Sequence, residues 1–314
     1  MKLITYVPKK GGHARFGFVD EDSVFSFPDI ASWADYLKHF PASEKHAHEI
    51  FRTGKGKDEL PASEVRFLPP VENIPMLLDF SLAPQHLSQA FDTLLKHEYG
   101  WFTRRVVRMM MKSAAKKKQA MGMLDYYKAN HHALSGDGDT VEWPDYTGYL
   151  DVEGELSVVI GTHEHPIVGY MIMNDWSARD VQLPELSSTS LTRSKDFNKS
   201  YGLGPYLVTP DEVPNPLQLT VEVSIADRYH WQGSTSAYTA SPEQAIEYLR
   251  TIFEPVPGTV FGMGTVTGCC GLEHDLWLEP GDEVRISIEK LGTLRQWAPK
   301  KAVNRNRSRW GAKL

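Results

Sequence analysis

The sequence has few cysteines, no long apolar run and no excess of basic charge. Its two cysteines, Cys269 and Cys270, are adjacent, and neighbouring cysteines rarely pair, so we expect no disulfide framework and a cytoplasmic location. No apolar run approaches the roughly 20 residues of a membrane span, and the first residues lack the apolar core of a signal peptide. The net charge of −6 supplies no basic field for nucleic acid. We therefore expect neither a membrane nor a nucleic acid as a partner.

What is present is typical of a globular protein that is rich in strands. Of 314 residues, 41% are hydrophobic and 24% are charged, values that argue against disorder. Short β-branched or alternating runs are separated by Gly, Pro and Asp. They predict an α+β fold that is mainly β. These runs are ELSVVIG, VGYMIMND, GPYLVT, LQLTVEVSIA and DEVRISIEKLG.

Two domains are predicted. Residues 1–70 form a small β-rich unit in which LITYV and ARFGFV are strands and SWADYLKHF is a short helix. The proline-rich stretch at 67–75 indicates a linker. Residues 71–314 form a second, larger domain, which starts with the strand LLDF and the helical pattern HLSQAFDTLLKH and ends in a basic, poorly ordered tail from about residue 298.

Residues 101–125 contain seven basic residues and five methionines. A surface helix with a solvated basic face explains this composition. A mobile lid or a patch that binds an anionic ligand is the alternative.

The stretch DVEGELSVVIG places Glu153 and Glu155 on one face of a strand, with Asp151 on the same face. The next apolar strand ends at Asp175, and WSARDVQ then indicates a helical turn that aligns Asp175, Arg179 and Gln182. Three carboxylates without a nearby His or Cys pair favour Mg²⁺, Mn²⁺ or Ca²⁺ over zinc. By spacing alone, a solvent-facing strand edge is the commoner explanation of two such glutamates, so spacing does not establish a metal site.

Longer strings carry a resemblance to a known family. DVEGELSVVIG, GYMIMNDWSARDVQ and RSKDFNKSYGLGPYLVT, in this order, resemble the core of the fumarylacetoacetate hydrolase family. The segments GMGTVTG and PGDEVRISIEKLGTLRQ resemble its C-terminal motifs. The likeness covers about residues 76–296 and implies a catalytic domain built as a mixed β-roll.

The resemblance also implies site residues. In this family the two glutamates and the aspartate before SARD bind Mg²⁺ or Mn²⁺, which implies Glu153, Glu155 and Asp175. LLDFSLAPQH matches the branch that adds an aspartate ligand and a histidine general base, here Asp79 and His86. Asp151 receives no ligand role and is expected to be structural.

The remaining candidates are polar residues that would contact the substrate. The resemblance implies that two cations, Arg179 and Lys195, hold a carboxylate or an oxyanion. It also implies three residues that form hydrogen bonds with the substrate: Tyr127, Gln182 and Thr265. Two positions depart from the family pattern. Gln89 stands where many relatives have a glutamate three residues after the histidine, and Ser81 stands where a tyrosine is frequent.

The resemblance implies a Mg²⁺- or Mn²⁺-dependent hydrolase, with Ca²⁺ as a further candidate ion, that cleaves a C–C bond in an acylpyruvate or a similar β-diketo acid. A decarboxylase, hydratase or tautomerase of a 2-oxo acid is the first alternative, and Gln89 counts against the decarboxylase. The second is an inactive member that binds a small molecule. The family is usually dimeric, so a homodimer is expected.

Overall fold

The computed structural model describes residues 1–186, 190–301, 303–308 and 310. The strands in this part are β1 (Lys2–Pro8), β2 (Arg15–Asp20), β3 (Ser23–Ser26), β4 (Lys57–Pro61), β5 (Val65–Leu68), β6 (Leu77–Phe80), β7 (Tyr126–Ala129), β8 (Leu134–Ser135), β9 (Leu150–Asp151), β10 (Gly154–Ile160), β11 (Ile167–Asp175), β12 (Ser177–Ala178), β13 (Tyr201–Val208), β14 (Thr220–Ile225), β15 (Tyr229–Ser234), β16 (Val260–Gly262), β17 (Glu283–Ile288) and β18 (Gly292–Trp297). The helices are α1 (Trp33–Lys38), α2 (Ala42–Thr53), α3 (Pro84–Glu98), α4 (Trp101–Ala120), α5 (Gln182–Leu186), α6 (Pro242–Arg250) and α7 (Gly271–His274).

Within the described residues the strands form three sheets. The largest has twelve strands in the order β4-β3-β2-β1-β13-β11-β10-β16-β6-β7, with β5 also paired to β1 and β8 to β13. The four-stranded sheet β15-β14-β17-β18 is antiparallel, and β9 and β12 form a small ribbon. The α+β, mainly β fold expected from the sequence is confirmed.

The central strands β10 and β11 are buried on both faces, which explains their nearly continuous apolar sequences. Alternate residues enter two separate cores. Leu156 and Ile172 pack with side chains of the four-stranded sheet such as Val223. Met171 and Met173 pack on the opposite face in the core that contains the aromatic residues of the N-terminal region. The middle of the large sheet is therefore packed on both faces.

The N-terminal strands and helix lie where the sequence predicted them, as β1, β2 and α1. Strand β1 pairs with β13, matching Leu3 to Leu207, so the large sheet runs without interruption from the N-terminal region into the rest of the chain. The N-terminal amine of Met1 donates a 2.7 Å hydrogen bond to the Thr209 hydroxyl. The domain boundary near residue 70 remains a prediction.

The described part of the C-terminal tail is buried at one end. Trp310 is only 1% exposed, whereas Asn304 and Asn306 are exposed, and the poorly ordered tail remains a prediction. The indole stacks on His97 at a centroid distance of 4.3 Å, packs against Tyr149 and Trp277, and donates through Nε1 to Glu98. This basic segment thus contains one large apolar side chain that is buried against the rest of the protein.

The basic, methionine-rich segment forms the surface helix α4. Among its described side chains, Trp101, Phe102 and Met110 are between 68% and 74% exposed. In the part of the chain that the structure describes, no helix has both the length and the apolar character required to cross a bilayer.

Candidate metal centre and active site

Four buried carboxylates converge on one face of the large sheet. Strands β6, β10 and β11 supply Asp79, Glu155 and Asp175, and Glu153 directly precedes β10. Each is at most 5% exposed, and one carboxylate oxygen from each lies within 4.8 Å of those from the other three. The structure thus brings together all four residues that were predicted to bind metal. Their role as ligands remains a prediction.

A glycine on β16 makes room for this convergence. Strand β16 lies between β10 and β6, so Gly262 separates Glu155 from Asp79. A Cβ atom at Gly262 would lie 2.4 Å from Glu155 Oε2 and 2.7 Å from Asp79 Oδ1. Because any larger residue would drive the two carboxylates apart, the site requires glycine here.

Two buried cations hold part of the cluster. Lys195 donates to Glu153 at 2.7 Å, to Asp175 at 2.5 Å and to the Ser177 hydroxyl at 2.7 Å, which occupies its three protons. Arg179 lies 2.7 Å from Glu153 Oε1 and donates through Nε to Asp151 at 2.8 Å. Both cations, predicted to contact substrate, therefore orient Glu153 in this structure. Their contact with substrate remains a prediction.

The segment around Asp151 corrects two details. Leu150–Asp151 and Ser177–Ala178 pair as a separate ribbon, so the strand predicted from Asp151 is interrupted and begins again at Gly154. For the same reason WSARDVQ is not one helical turn: Ser177–Ala178 is extended, and a 3₁₀ turn begins only at Arg179. Asp151 also accepts from the backbone N–H groups of Gly271 and Leu272, which agrees with a structural role.

Burial and mutual repulsion perturb these acids. Burial, reinforced by Asp79 and Glu153, holds the pKa of Glu155 well above its ordinary value. Burial likewise raises the pKa of Asp79 and Asp175, and Lys195 offsets this only partly. For Glu153 the balance reverses: burial raises its pKa, but Lys195 and Arg179 together outweigh burial and lower it. In the protein alone, three of the four carboxylates thus lack sufficient positive charge nearby.

A hard divalent cation fits this arrangement. Asp79, Asp151, Glu153, Glu155 and Asp175 are at most 5% exposed. The buried cations that pair with this group are one lysine and one arginine, so full ionisation leaves an excess of three negative charges. The Oδ1 atoms of Asp79 and Asp175 are buried without any hydrogen-bond partner among the described residues. Such oxygens are costly unless an ion or proton satisfies them. An all-oxygen donor set matches Mg²⁺, Mn²⁺ or Ca²⁺.

The raised pKa values predict how metal and pH act together on stability. A carboxylate whose pKa is raised in the folded state stabilises the protein at pH values below its ordinary pKa, which is near 4. That stabilisation is lost as the pH rises through the folded-state pKa. The metal-free protein should therefore lose stability from about pH 5 upwards. Mg²⁺ should raise the melting temperature more at pH 8 than at pH 5, because binding needs ionised carboxylates. Calorimetry in chelator and in excess Mg²⁺ tests this, and an equal or smaller rise at pH 8 would contradict it.

Three of the four acids, Asp79, Glu153 and Glu155, line a cavity of about 90 Å³. All remaining candidates from the sequence line it: His86, Tyr127, Arg179, Gln182, Lys195 and Thr265. Leucine and phenylalanine side chains of α3, among them Leu87, Phe91 and Leu94, form its apolar wall. A wider groove of about 1000 Å³ lies beside α2 and β11, and its described lining includes none of the predicted site residues.

Two of the polar lining residues contact the carboxylates. The Tyr127 hydroxyl donates to Asp175 at 2.6 Å, and the Thr265 hydroxyl lies 3.4 Å from Glu155. Gln182 instead accepts from Arg179 at 3.0 Å through its side-chain oxygen. These residues stand at the rim of the acidic cluster, where a ligand in the cavity would meet them.

His86 has a partner that the sequence did not reveal. Its Nδ1 lies 3.4 Å from Oε2 of Glu273 on α7, and both side chains are buried. Burial beside this carboxylate restricts the orientation of the ring. Gln89, by contrast, is exposed. The acid beside the histidine therefore comes from the C-terminal part of the chain, where spacing in the sequence gave no indication of it.

Comparison with known proteins agrees with this architecture. The profile of the fumarylacetoacetate (FAA) hydrolase C-terminal family matches residues 102–297. This chain belongs to the fumarylacetoacetate hydrolase family. The match begins after Asp79 and His86, so the placement of these two residues rests on the structure. An uncharacterised protein from Staphylococcus haemolyticus is 33% identical over 179 residues, which cover 54% of this chain and 58% of that protein. The chain thus spans little more than half the length of this relative.

Solved structures of family enzymes share the fold. Maleylpyruvate hydrolase from Sphingobium sp. SYK-6, in complex with manganese and pyruvate, superposes with a TM-score of 0.69 at 18% identity, covering 95% of this chain and 99% of that one. A 2-keto-3-deoxy-D-arabinonate dehydratase complexed with magnesium and 2,5-dioxopentanoate gives 0.67 at 20% identity, covering 96% and 99%. At these identities the likeness establishes the fold alone; one of the two proteins is a hydrolase and the other a dehydratase.

Proposed function

We propose that this member of the fumarylacetoacetate hydrolase family is a divalent-metal-dependent hydrolase that cleaves a C–C bond in a β-diketo acid such as an acylpyruvate. The observation that carries the proposal is a single cavity with two kinds of group. It combines an all-oxygen cluster suited to Mg²⁺ or Mn²⁺ with a histidine oriented by a buried carboxylate. His86 could activate water beside a metal site that a β-diketo acid would chelate, and this combination favours hydrolysis.

The ligand set would be Asp79, Glu153, Glu155 and Asp175. When bound there, a divalent cation supplies polarisation of a substrate carbonyl and stabilisation of the negative charge that develops on oxygen, typically worth several kcal/mol. Lys195 and Arg179 keep Glu153 ionised and oriented.

The protein's own groups would perform the proton transfers. His86, held by Glu273 through Nδ1, takes a proton from water at Nε2. The resulting hydroxide attacks the acyl carbonyl, and the C–C bond to the neighbouring carbon breaks. His86 then returns its proton to that carbon, so one water is consumed and the products are a carboxylic acid and a 2-oxo acid. The apolar wall on α3 is placed to contact the acyl group.

An acylpyruvate assay tests the proposal. Loss of the diketo-enol absorbance should require Mg²⁺ or Mn²⁺, vanish with chelator and return when the ion is restored. Each substrate molecule should yield one carboxylic acid and one pyruvate. Release of CO₂ would instead identify a decarboxylase, and loss or gain of water without cleavage would identify a hydratase. Absence of turnover with metal-loaded protein would support an inactive, ligand-binding member. A homodimer also remains a prediction, which sedimentation analysis tests.

A further inference from the structure

A second group of metal-binding atoms lies beside the carboxylate cluster. It consists of Nδ1 of His86 at the start of α3, Sγ of Cys270 at the N-cap of α7, and a carboxylate oxygen of Glu273. Helices α3 and α7 pack against each other and hold the three side chains together. Unlike the first cluster, this one contains nitrogen and sulfur.

The distances within the group match those around a zinc ion. Sγ of Cys270 lies 3.9 Å from Nδ1 of His86 and 3.3 Å from Oε2 of Glu273, and Nδ1 lies 3.4 Å from the same oxygen. A tetrahedral zinc ion, with bonds of about 2.3 Å to sulfur and about 2.0 Å to nitrogen or oxygen, separates such atoms by about 3.3 to 3.6 Å. Little rearrangement would therefore be needed.

An unsatisfied atom independently indicates a ligand. The Glu273 side chain is only 1% exposed, and its Oε1 has no hydrogen-bond partner. Oε2 is fixed by the backbone N–H of Gly268 at 2.9 Å. Cys270 is a free, fully buried thiol. The Cys270 thiol donates to Oε2 of Glu273 at 3.3 Å. A buried carboxylate with one unpartnered oxygen, next to a thiol and an imidazole, is a group that a cation would satisfy.

We propose that His86, Cys270 and Glu273 form a zinc-binding site, distinct from the carboxylate cluster, whose occupation inhibits the enzyme. Zinc bonds to the three side chains, and the thiol proton leaves to solvent. The two sites discriminate between ions, because thiolate and imidazole favour zinc, whereas an all-oxygen cluster favours magnesium. The zinc site is inferred from its three side chains alone, whereas the inhibition rests on the proposed function.

The inhibition follows from the chemistry of imidazole. A neutral ring carries one proton on its two nitrogens. If zinc occupies Nδ1, the proton must sit on Nε2, which then cannot accept one from water. The same ring therefore serves either as a zinc ligand or as a base.

Cobalt spectroscopy tests the site without relying on activity. Co²⁺ is added to full-length protein that is already saturated with Mg²⁺, and a thiolate-to-cobalt charge-transfer band should appear in the near ultraviolet. Cys270→Ser should abolish the band. Cys269→Ser is the matched control, because Cys269 is equally buried but packs in the main core, and it should retain the band. Absence of the band in the parent protein, or its persistence in Cys270→Ser, would overturn the proposal.

Two further measurements guard against misfolding and separate this proposal from the proposed function. Melting curves identify any variant that does not fold, and Glu273→Gln, which keeps the side chain's size and the thiol, should weaken Zn²⁺ binding at least about tenfold in chelator competition. In activity assays, the Zn²⁺ concentration that inhibits the parent and Cys269→Ser proteins should be at least about tenfold lower than the concentration that inhibits Cys270→Ser. A charge-transfer band in an inactive protein would leave the zinc site established and the hydrolase proposal refuted. Equal zinc affinity in parent and Glu273→Gln would refute the site.

Discussion

Replacing Glu155 with glutamine is expected to lower the affinity for Mg²⁺ by about 100-fold or more while making the metal-free protein more stable. Loss of an outer partner of a metal ligand already costs about 10- to 100-fold in affinity, so loss of a ligand should cost at least as much. Activity at limiting Mg²⁺ should fall in parallel. Titration calorimetry measures the affinity.

The opposite effect on stability follows from the environment of Glu155. It is fully buried, and its described partners are the Gly264 N–H at 3.1 Å and the Thr265 hydroxyl, neither of which is a cation. Burial with Asp79 nearby penalises its charged form. Glutamine removes that charge at nearly constant size, so the free energy of unfolding at pH 8 in chelator should rise by about 1 to 3 kcal/mol.

Asp180→Asn is the matched control. Asp180 is also buried but lies outside the cluster, where it accepts from the Thr147 hydroxyl and the Gly148 N–H. This change should lower stability and leave Mg²⁺ affinity unaltered. Unchanged Mg²⁺ affinity in Glu155→Gln, or an equal loss in both variants, would remove Glu155 from the ligand set.

Replacing His86 with asparagine is expected to lower kcat by about 100- to 10,000-fold, the range for loss of a general base. Mg²⁺ affinity should change little, because His86 is not part of the carboxylate cluster proposed to bind Mg²⁺. The control is His97→Asn on the same helix, whose ring stacks on Trp310 and bonds to Asp275 instead of facing the cavity. A His86→Asn protein with normal kcat would disprove the base assignment alone.

Glu273 should contribute to kcat only through His86. Glu273→Gln keeps the size of the side chain but removes the charge beside the imidazole that orients the ring. We expect a smaller loss of kcat than for His86→Asn, and the double variant should be no worse than His86→Asn, since two residues that act as a unit are not additive. Additive losses would show that Glu273 acts independently.

Local patterns in the sequence were sufficient to predict several strands and helices and part of the candidate site. Apolar runs identified β10 and β11, the helical period identified α3, and alternation identified β14 and β17. The strand period placed Glu153 and Glu155 on one face. Each of these inferences depends on neighbours within a few residues, where backbone geometry alone determines which side chains align.

Only the tertiary structure decided which distant groups meet. The gap at Gly262 that admits Asp79 beside Glu155, the acid that faces His86, and the packing of Trp310 all join segments remote in sequence. Cys270 and His86, for example, are 184 residues apart. No local period encodes such contacts, because strand order and helix packing set them. The sequence by itself determined the family, the strands and the paired glutamates, whereas the fold decided how their charge is balanced and which acid positions the base.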